Sequence, residues 1–132
     1  MASELRVNTL KDAAGNNSIA TSFVANGSAK AWINFDGTGT ISIRDSFSVS
    51  SIDDDGTGLY SYNLSAAMVE PFNYNCNSNA ARTIATSGIA TTNRSAASIP
   101  ENGTSVLIGA RNLSNAAVDC EQMHGNIHGD LA

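Results

Sequence analysis

A four-residue sequence, Asp-Gly-Thr-Gly, occurs twice in this chain, at residues 36–39 and 55–58, and alternating segments flank each copy. Before the first copy Ala31, Ile33 and Phe35 alternate with Trp32 and Asn34. After it Ile41, Ile43, Phe47 and Val49 share one parity, and after the second copy Tyr60, Tyr62, Leu64, Ala66 and Met68 do. A period of two puts successive side chains on opposite faces of a strand, and Asp-Gly interrupting it marks a hairpin. Aspartate suits the start of such a turn, and glycine takes the positive φ that a tight turn needs. Residues 31–68 therefore predict three strands joined by two turns, a β-meander. Between Val49 and Ile52 the apolar parity flips, as a single inserted residue would make it, so a β-bulge or bend is expected near Ser50. Asp45 shares the parity of Ile43 and Phe47. It is either a buried carboxylate held by an arginine or backbone donors, a group at a subunit boundary, or exposed where the strand breaks.

The rest of the chain supplies weaker signals. Residues 3–10 alternate Leu5 and Val7 against Glu4, Arg6 and Asn8, as a short strand or an extended arm. Turns are expected at 12–17 and at Asn26-Gly27. Residues 1–30 hold too few large apolar groups to fold alone and read as an arm that docks on its own domain, a sister chain or another protein, with Leu5, Val7 and Leu10 as its contacts, or else as a frayed terminus. Residues 31–132 read as the β-domain. Phe72, Tyr74 and Cys76 alternate after Pro71, residues 82–86 form a weak strand, and 87–103 form a long surface loop or weak edge strands. Residues 104–111 are the best later strand, with Val106, Ile108 and Ala110 on one face, and 116–127 close the fold, interrupted by Gly125. Residues 116–124 are the one contender for a helix.

Composition bounds the function. A chain of 132 residues is one domain, and alanine supplies much of its 42% hydrophobic content, so the core per chain is thin and oligomerisation would bury more. The net charge of −5 and the scattered seven basic residues exclude a nucleic-acid binder, which needs a basic surface. No apolar run approaches the roughly 20 residues of a transmembrane helix, and the N-terminus lacks the apolar core of a secretory signal. Synthesis and folding in a cytosol follow, where Cys76 and Cys120 are free thiols or, less readily, a mutual disulfide.

Chemistry finds little footing. Asp53, Asp55 and Gly56 match part of a calcium loop, but Tyr62 stands where the closing glutamate belongs. Cys120, His124 and His128 share a face at a spacing of four, about 13 Å apart along a strand, too far for one shared ion unless three chains contribute a histidine each. No nucleophile motif, phosphate loop or paired carboxylates occur. The expectation is a chain that is not an enzyme and holds no cofactor or metal.

The segment 31–68 resembles one that recurs in bacteriophage tail-fibre-like proteins, through Ala31-Trp32, Asn34-Phe35, Gly37-Thr38-Gly39-Thr40, Ile43-Arg44-Asp45-Ser46-Phe47, Val49-Ser50-Ser51-Ile52, Asp55-Gly56-Thr57-Gly58 and Ala67-Met68. The leader, Asn8-Thr9-Leu10 then Asp12-Ala13-Ala14-Gly15, and the closing Val118-Asp119-Cys120 are similar too. The resemblance covers about half of the chain and implies an all-β virion protein, a homotrimer with a role in host attachment. Such a receptor-binding knob is expected to expose aromatics and amides beyond residue 70, with Tyr74 and Asn75 as ligand-binding candidates for a surface glycan or protein. The alternative is a decoration protein whose leader docks on a major virion protein, with no host ligand. A free lectin-like domain outside any virus is a third class.

Overall fold

The computed structural model describes residues 3, 5–81, 95–112 and 114–131. Thr9–Lys11 (β1) and Ser18–Ala20 (β2) pair antiparallel around the expected turn. Asp12 ties that turn, accepting from the Asn16 amide at 2.9 Å and from Asn17 Nδ2 at 2.7 Å, while Gly15 sits at φ 73°. The chain then forms a short helix, Thr21–Gly27 (α1), with no buried residue. Asn26-Gly27, expected as a turn, is the end of this helix, and the Lys30 ammonium donates to the Ala25 carbonyl just behind it.

The remaining strands are Ala31–Asp36 (β3), Ser42–Phe47 (β4), Val49–Gly56 (β5), Leu59–Leu64 (β6), Asn75–Ala81 (β7), Ser95–Pro100 (β8), Ser105–Arg111 (β9) and Gln122–His128 (β10). They form two four-stranded antiparallel sheets, ordered β4-β3-β10-β7 and β5-β6-β9-β8. The all-β expectation holds, but a continuous meander does not form. The chain leaves the first sheet after Phe47 and enters the second at Val49, turning on Ser48 at φ 57°. The expected bulge is present: Val49 pairs with Leu64 and Ser51 with Asn63, leaving Ser50 out of register.

A bulge that the parity did not reveal lies in β4. Asn34 pairs with Asp45 and Phe35 with Ile43, so Arg44 is the inserted residue. The insertion turns Asp45 and Phe47 outward: Asp45 is exposed and Phe47 is 55% exposed. Asp45 is thus not buried in the single chain: it is exposed beside a bulge, not a break, in the strand, and its Oδ1 accepts the Ser46 amide at 2.9 Å.

Alternate residues of both sheets meet in one core. Ala31, Ile33, Phe35, Met123 and Ile127 come from the first sheet, and Tyr60, Tyr62, Leu64, Val106, Ile108 and Ala110 from the second. The rings of Phe35 and Tyr60 meet edge to face, with centroids 5.2 Å apart. Tyr62 lies against Gly125, where an added Cβ would stand 3.2 Å from the Tyr62 hydroxyl and 3.1 Å from Ile108 Cδ1. Gly125 thus admits the opposite sheet rather than interrupting its strand. Burying such rings stabilises the fold by roughly 1.5–3 kcal/mol each.

The two Asp-Gly-Thr-Gly copies come together at one end of the fold. The first lies in the loop between β3 and β4, with Gly39 at φ 60°; the second closes the β5–β6 hairpin, with Gly58 at φ 64°. Residues 118–120 are held between them. The Gly37 amide donates to the Cys120 carbonyl at 2.9 Å, and the Gly58 amide to Asp119 Oδ1 at 2.7 Å. The Tyr60 hydroxyl reaches both, 2.7 Å from the Gly37 carbonyl and 2.8 Å from Asp119 Oδ1. These bonds leave residues 116–121 without a helix, and the closing strand starts only at Gln122. Cys120 is buried and Cys76 half-buried, both as free thiols. The weak strand expected at 82–86 and the stretch 87–94 lie outside the described residues, while 95–100 forms the edge strand β8.

Candidate binding face on the first sheet

Strand parity builds the candidate site. On β3 the odd residues enter the core, so Trp32 and Asn34 face outward; on β10 Met123, Gly125 and Ile127 are buried, so His124 and Asn126 face outward. On β7 Asn75, Asn77 and Asn79 are the exposed set, alternating with Cys76, Ser78 and Ala80. Register then aligns them in rows across the sheet. One row runs Phe47, Trp32, Asn126, Asn77; the next runs Asp45, Asn34, His124, Asn79. Asn75 opposes His128 at the end of the strands. Between the rows lies a shallow cleft of about 300 Å³ lined by Trp32, Asn34, Asn77, Asn79, His124 and Asn126.

The face is aromatic at one side and amide-rich across the rest. Trp32 is 36% exposed beside Phe47, and Asn77 Nδ2 approaches Asn126 Oδ1 at 3.4 Å. Asn34 Oδ1 is enclosed without a hydrogen-bond partner among the described residues. A carboxamide held that way loses nothing by turning into the cleft, because an unpaired buried acceptor is itself costly. At the turn end Arg44 donates to Asp36 at 2.8 Å. Bonds from Thr38, through its hydroxyl at 2.6 Å and its amide at 2.9 Å, hold the Asp36 carboxyl below its ordinary range, and Arg44 adds to the effect. Amides and imidazoles both donate and accept, and an exposed indole offers an apolar plane.

The sequence-derived candidates divide. Tyr74, expected to be exposed, is only 8% exposed, and its hydroxyl reaches inward to the carbonyls of Asn102 at 2.8 Å and Ser105 at 3.1 Å. That correction follows from its contacts: Tyr74 closes the core rather than offering its ring to solvent. One edge of it touches a separate cleft of about 230 Å³, lined also by Asn26, Val69, Glu70 and Asp130. Asn75 is exposed on the candidate face, so the two neighbours point to opposite sides of β7. Cys120 is buried in the core while His124 is exposed, so the Cys120-His124-His128 constellation is not one face. The carboxylates of the acidic run diverge, Asp53 to Asn63 Nδ2 at 2.8 Å and Asp54 to the Gly56 amide at 3.0 Å, while Asp55 meets the Ser61 hydroxyl. Leu5, Val7 and Leu10 of the leader are exposed, at 78%, 40% and 42%.

Sequence reasoning passed over Trp32, Asn34, Asn77, Asn79 and Asn126, and weighed His124 only as a metal ligand. The signal was there: asparagine at every second residue from 75 to 79, and His124, Asn126 and His128 at every second residue of the closing segment. No family model, curated protein or solved structure matches this chain.

Proposed function

We propose that this chain is a bacteriophage virion protein, tail-fibre-like or a knob, that contacts the host surface through the outer face of the β4-β3-β10-β7 sheet. The observation that carries the reading is that face itself, which sets an exposed tryptophan and phenylalanine beside rows of outward-facing amides. Among the described residues the amides of these rows share one long hydrogen bond, from Asn77 Nδ2 to Asn126 Oδ1 at 3.4 Å, and the exposed groups suit a polyhydroxylated ligand. The sequence resemblance to tail-fibre-like chains supports the virion setting. In this reading the two sheets are the layers of a β-sandwich, residues 1–30 are a docking arm, and the working unit is a trimer.

The exposed leader also favours a second reading, a decoration subunit held on the particle. Leu5 at 78% and Phe23 at 71% exposure are apolar groups without cover in the single chain. One experiment separates the two. Purified full-length protein and a form lacking the first 30 residues are tested for binding to the phage particle and to host cells. The attachment reading expects the truncated form to lose the particle and keep the cells. Failure of the full chain to bind cells, together with presence in purified particles, would favour decoration. Absence from particles would overturn both.

A further inference from the structure

We infer that the ligand of this face is an uncharged oligosaccharide, laid across the strands with a sugar ring on Trp32; the inference rests on the attachment reading and names its ligand class.

Charge decides against an anionic glycan. The described residues lining the cleft include no lysine or arginine, and the row through Asn34 ends at the carboxylate of Asp45. Arg44 is already engaged by Asp36 at 2.8 Å. An acidic sugar would meet a chain of net charge −5 with no lysine or arginine among the described residues of the cleft lining to pair it. A cationic ligand fares little better, because Asp45 lies at the rim while the centre is built of Asn34, His124 and Asn126. What remains is a neutral ligand that exchanges hydrogen bonds in both directions.

Shape points the same way. From Phe47 to Asn77 a row crosses three inter-strand steps, about 14 Å at the usual sheet spacing. That length suits a short run of rings rather than one small molecule. The apolar plane stands toward one end, at Trp32, and the amides of Asn126 and Asn77 continue the row. A pyranose has one face of C–H groups and a rim of hydroxyls, so its face stacks on the indole while the hydroxyls of the next rings meet the carboxamides. The unpaired oxygen of Asn34, beside this row, gains a hydroxyl donor when the side chain turns outward.

Trp32 is the only tryptophan of the chain, so its emission reports on the site directly. The full-length protein is titrated with maltotriose, cellotriose and N-acetylated chitotriose, and with trigalacturonate as an acidic chain of equal length. The expected result is a saturable shift in emission with at least one neutral trisaccharide and none with trigalacturonate. Asn126→Ala, whose side chain does not enter the core, should weaken that binding roughly three- to tenfold with an unchanged far-UV spectrum. Trp32→Ala, followed by calorimetry, should weaken it at least tenfold. Equal or tighter binding of trigalacturonate, or no saturable response to any neutral probe, would overturn the inference. Cell adsorption is measured on the same variants. Adsorption that persists in Trp32→Ala and Asn126→Ala would sink this ligand site while leaving the attachment reading in place. Sugar binding without adsorption by any form would do the reverse.

Discussion

Gly39 and Gly58 are the last residues of the two copies of one motif, and their backbones are nearly alike, at φ 60° and 64°. Their surroundings are not. An added Cβ at Gly39 would find no heavy atom within 4 Å. At Gly58 it would stand 2.6 Å from the Ala110 carbonyl oxygen, 2.6 Å from the Val118 amide nitrogen and 2.7 Å from the Val118 carbonyl oxygen. Both substitutions to alanine carry the left-handed penalty of about 1–2 kcal/mol, lessened by some 0.4–1 kcal/mol through the stiffer unfolded chain. Gly39→Ala should therefore cost about 1 kcal/mol. Gly58→Ala must also push apart three backbone atoms that cannot rotate away. The displaced bonds are those from Ala110 N to Gly58 O at 2.7 Å, from Gly58 N to Asp119 at 2.7 Å, and from Val118 N to Ala110 O at 3.1 Å. Losing two of these, one of them charged, adds about 2–4 kcal/mol, for a total near 3–5 kcal/mol. Urea denaturation followed by Trp32 emission and far-UV circular dichroism checks both variants. With slopes of about 1–3 kcal/mol/M, the midpoint should fall by roughly 0.5 M for Gly39→Ala and about 2 M for Gly58→Ala. Equal shifts, or the larger one at Gly39, would refute the claim that residues 118–120 are clamped against the second turn.

Two further predictions concern pH. All three tyrosines are buried, and burial raises their hydroxyls, Tyr74 to about 12 and Tyr60 and Tyr62 further. A raised folded value means stability that is complete below the unfolded value near 10 and lost as pH rises through the folded one. Phenolate absorbance should thus stay flat to about pH 11 and then rise together with unfolding; a transition near 10 in a folded protein would contradict the burial. Asp36 has the opposite sign. Its carboxyl lies below its ordinary value of 3.8, so its contribution is present above that pH and lost as pH falls through the lower folded value. The urea midpoint should drop less steeply on acidification in Asp36→Asn than in the native chain, and parallel curves would show that the Thr38 and Arg44 bonds add nothing.

The elements with strict alternation and a turn residue at each end were legible. β3, β6 and β9 stand where the parity of Ile33, Tyr62 and Ile108 puts them, and Ser50 is the bulge that the flip after Val49 demanded. What failed was continuity. A run from Ile41 to Val49 reads as one strand because nothing in serine marks a sheet crossing, yet Ser48 takes φ 57° and sends the two halves to different sheets. The Arg44 bulge was equally silent, since its effect on parity is undone only in pairing with β3. The candidate site was missed for a different reason. A binding face is a property of register between β3, β10 and β7, which lie far apart in the chain, and no single segment carries it. Tyr74 is a candidate only through the resemblance, which implies exposed aromatics beyond residue 70, whereas its hydroxyl satisfies the carbonyls of Asn102 and Ser105.

The distribution of aromatic residues argues that the outer face is not incidental. All three tyrosines, each with a hydroxyl to accommodate, are inside, and the Tyr62 hydroxyl is buried with no partner among the described residues. Trp32 and Phe47, with more apolar surface to hide, are outside at 36% and 55% exposure, as are Phe23 and Phe72 at 71% and 70%. A chain with a thin core would gain roughly 1.5–3 kcal/mol from each such ring turned inward. Phe35 is the one phenylalanine within, and stability alone would favour the others there too, with tyrosine at the surface. Single exposed apolar residues need no explanation, but Trp32 and Phe47 are cross-strand partners, paired in register beside rows of amides. The Arg44 bulge is what turns Phe47 outward to meet Trp32, so the pairing depends on an irregularity placed in the strand rather than on residues left over from packing. In the proposed reading, the ligand is what covers a surface built at the expense of the core.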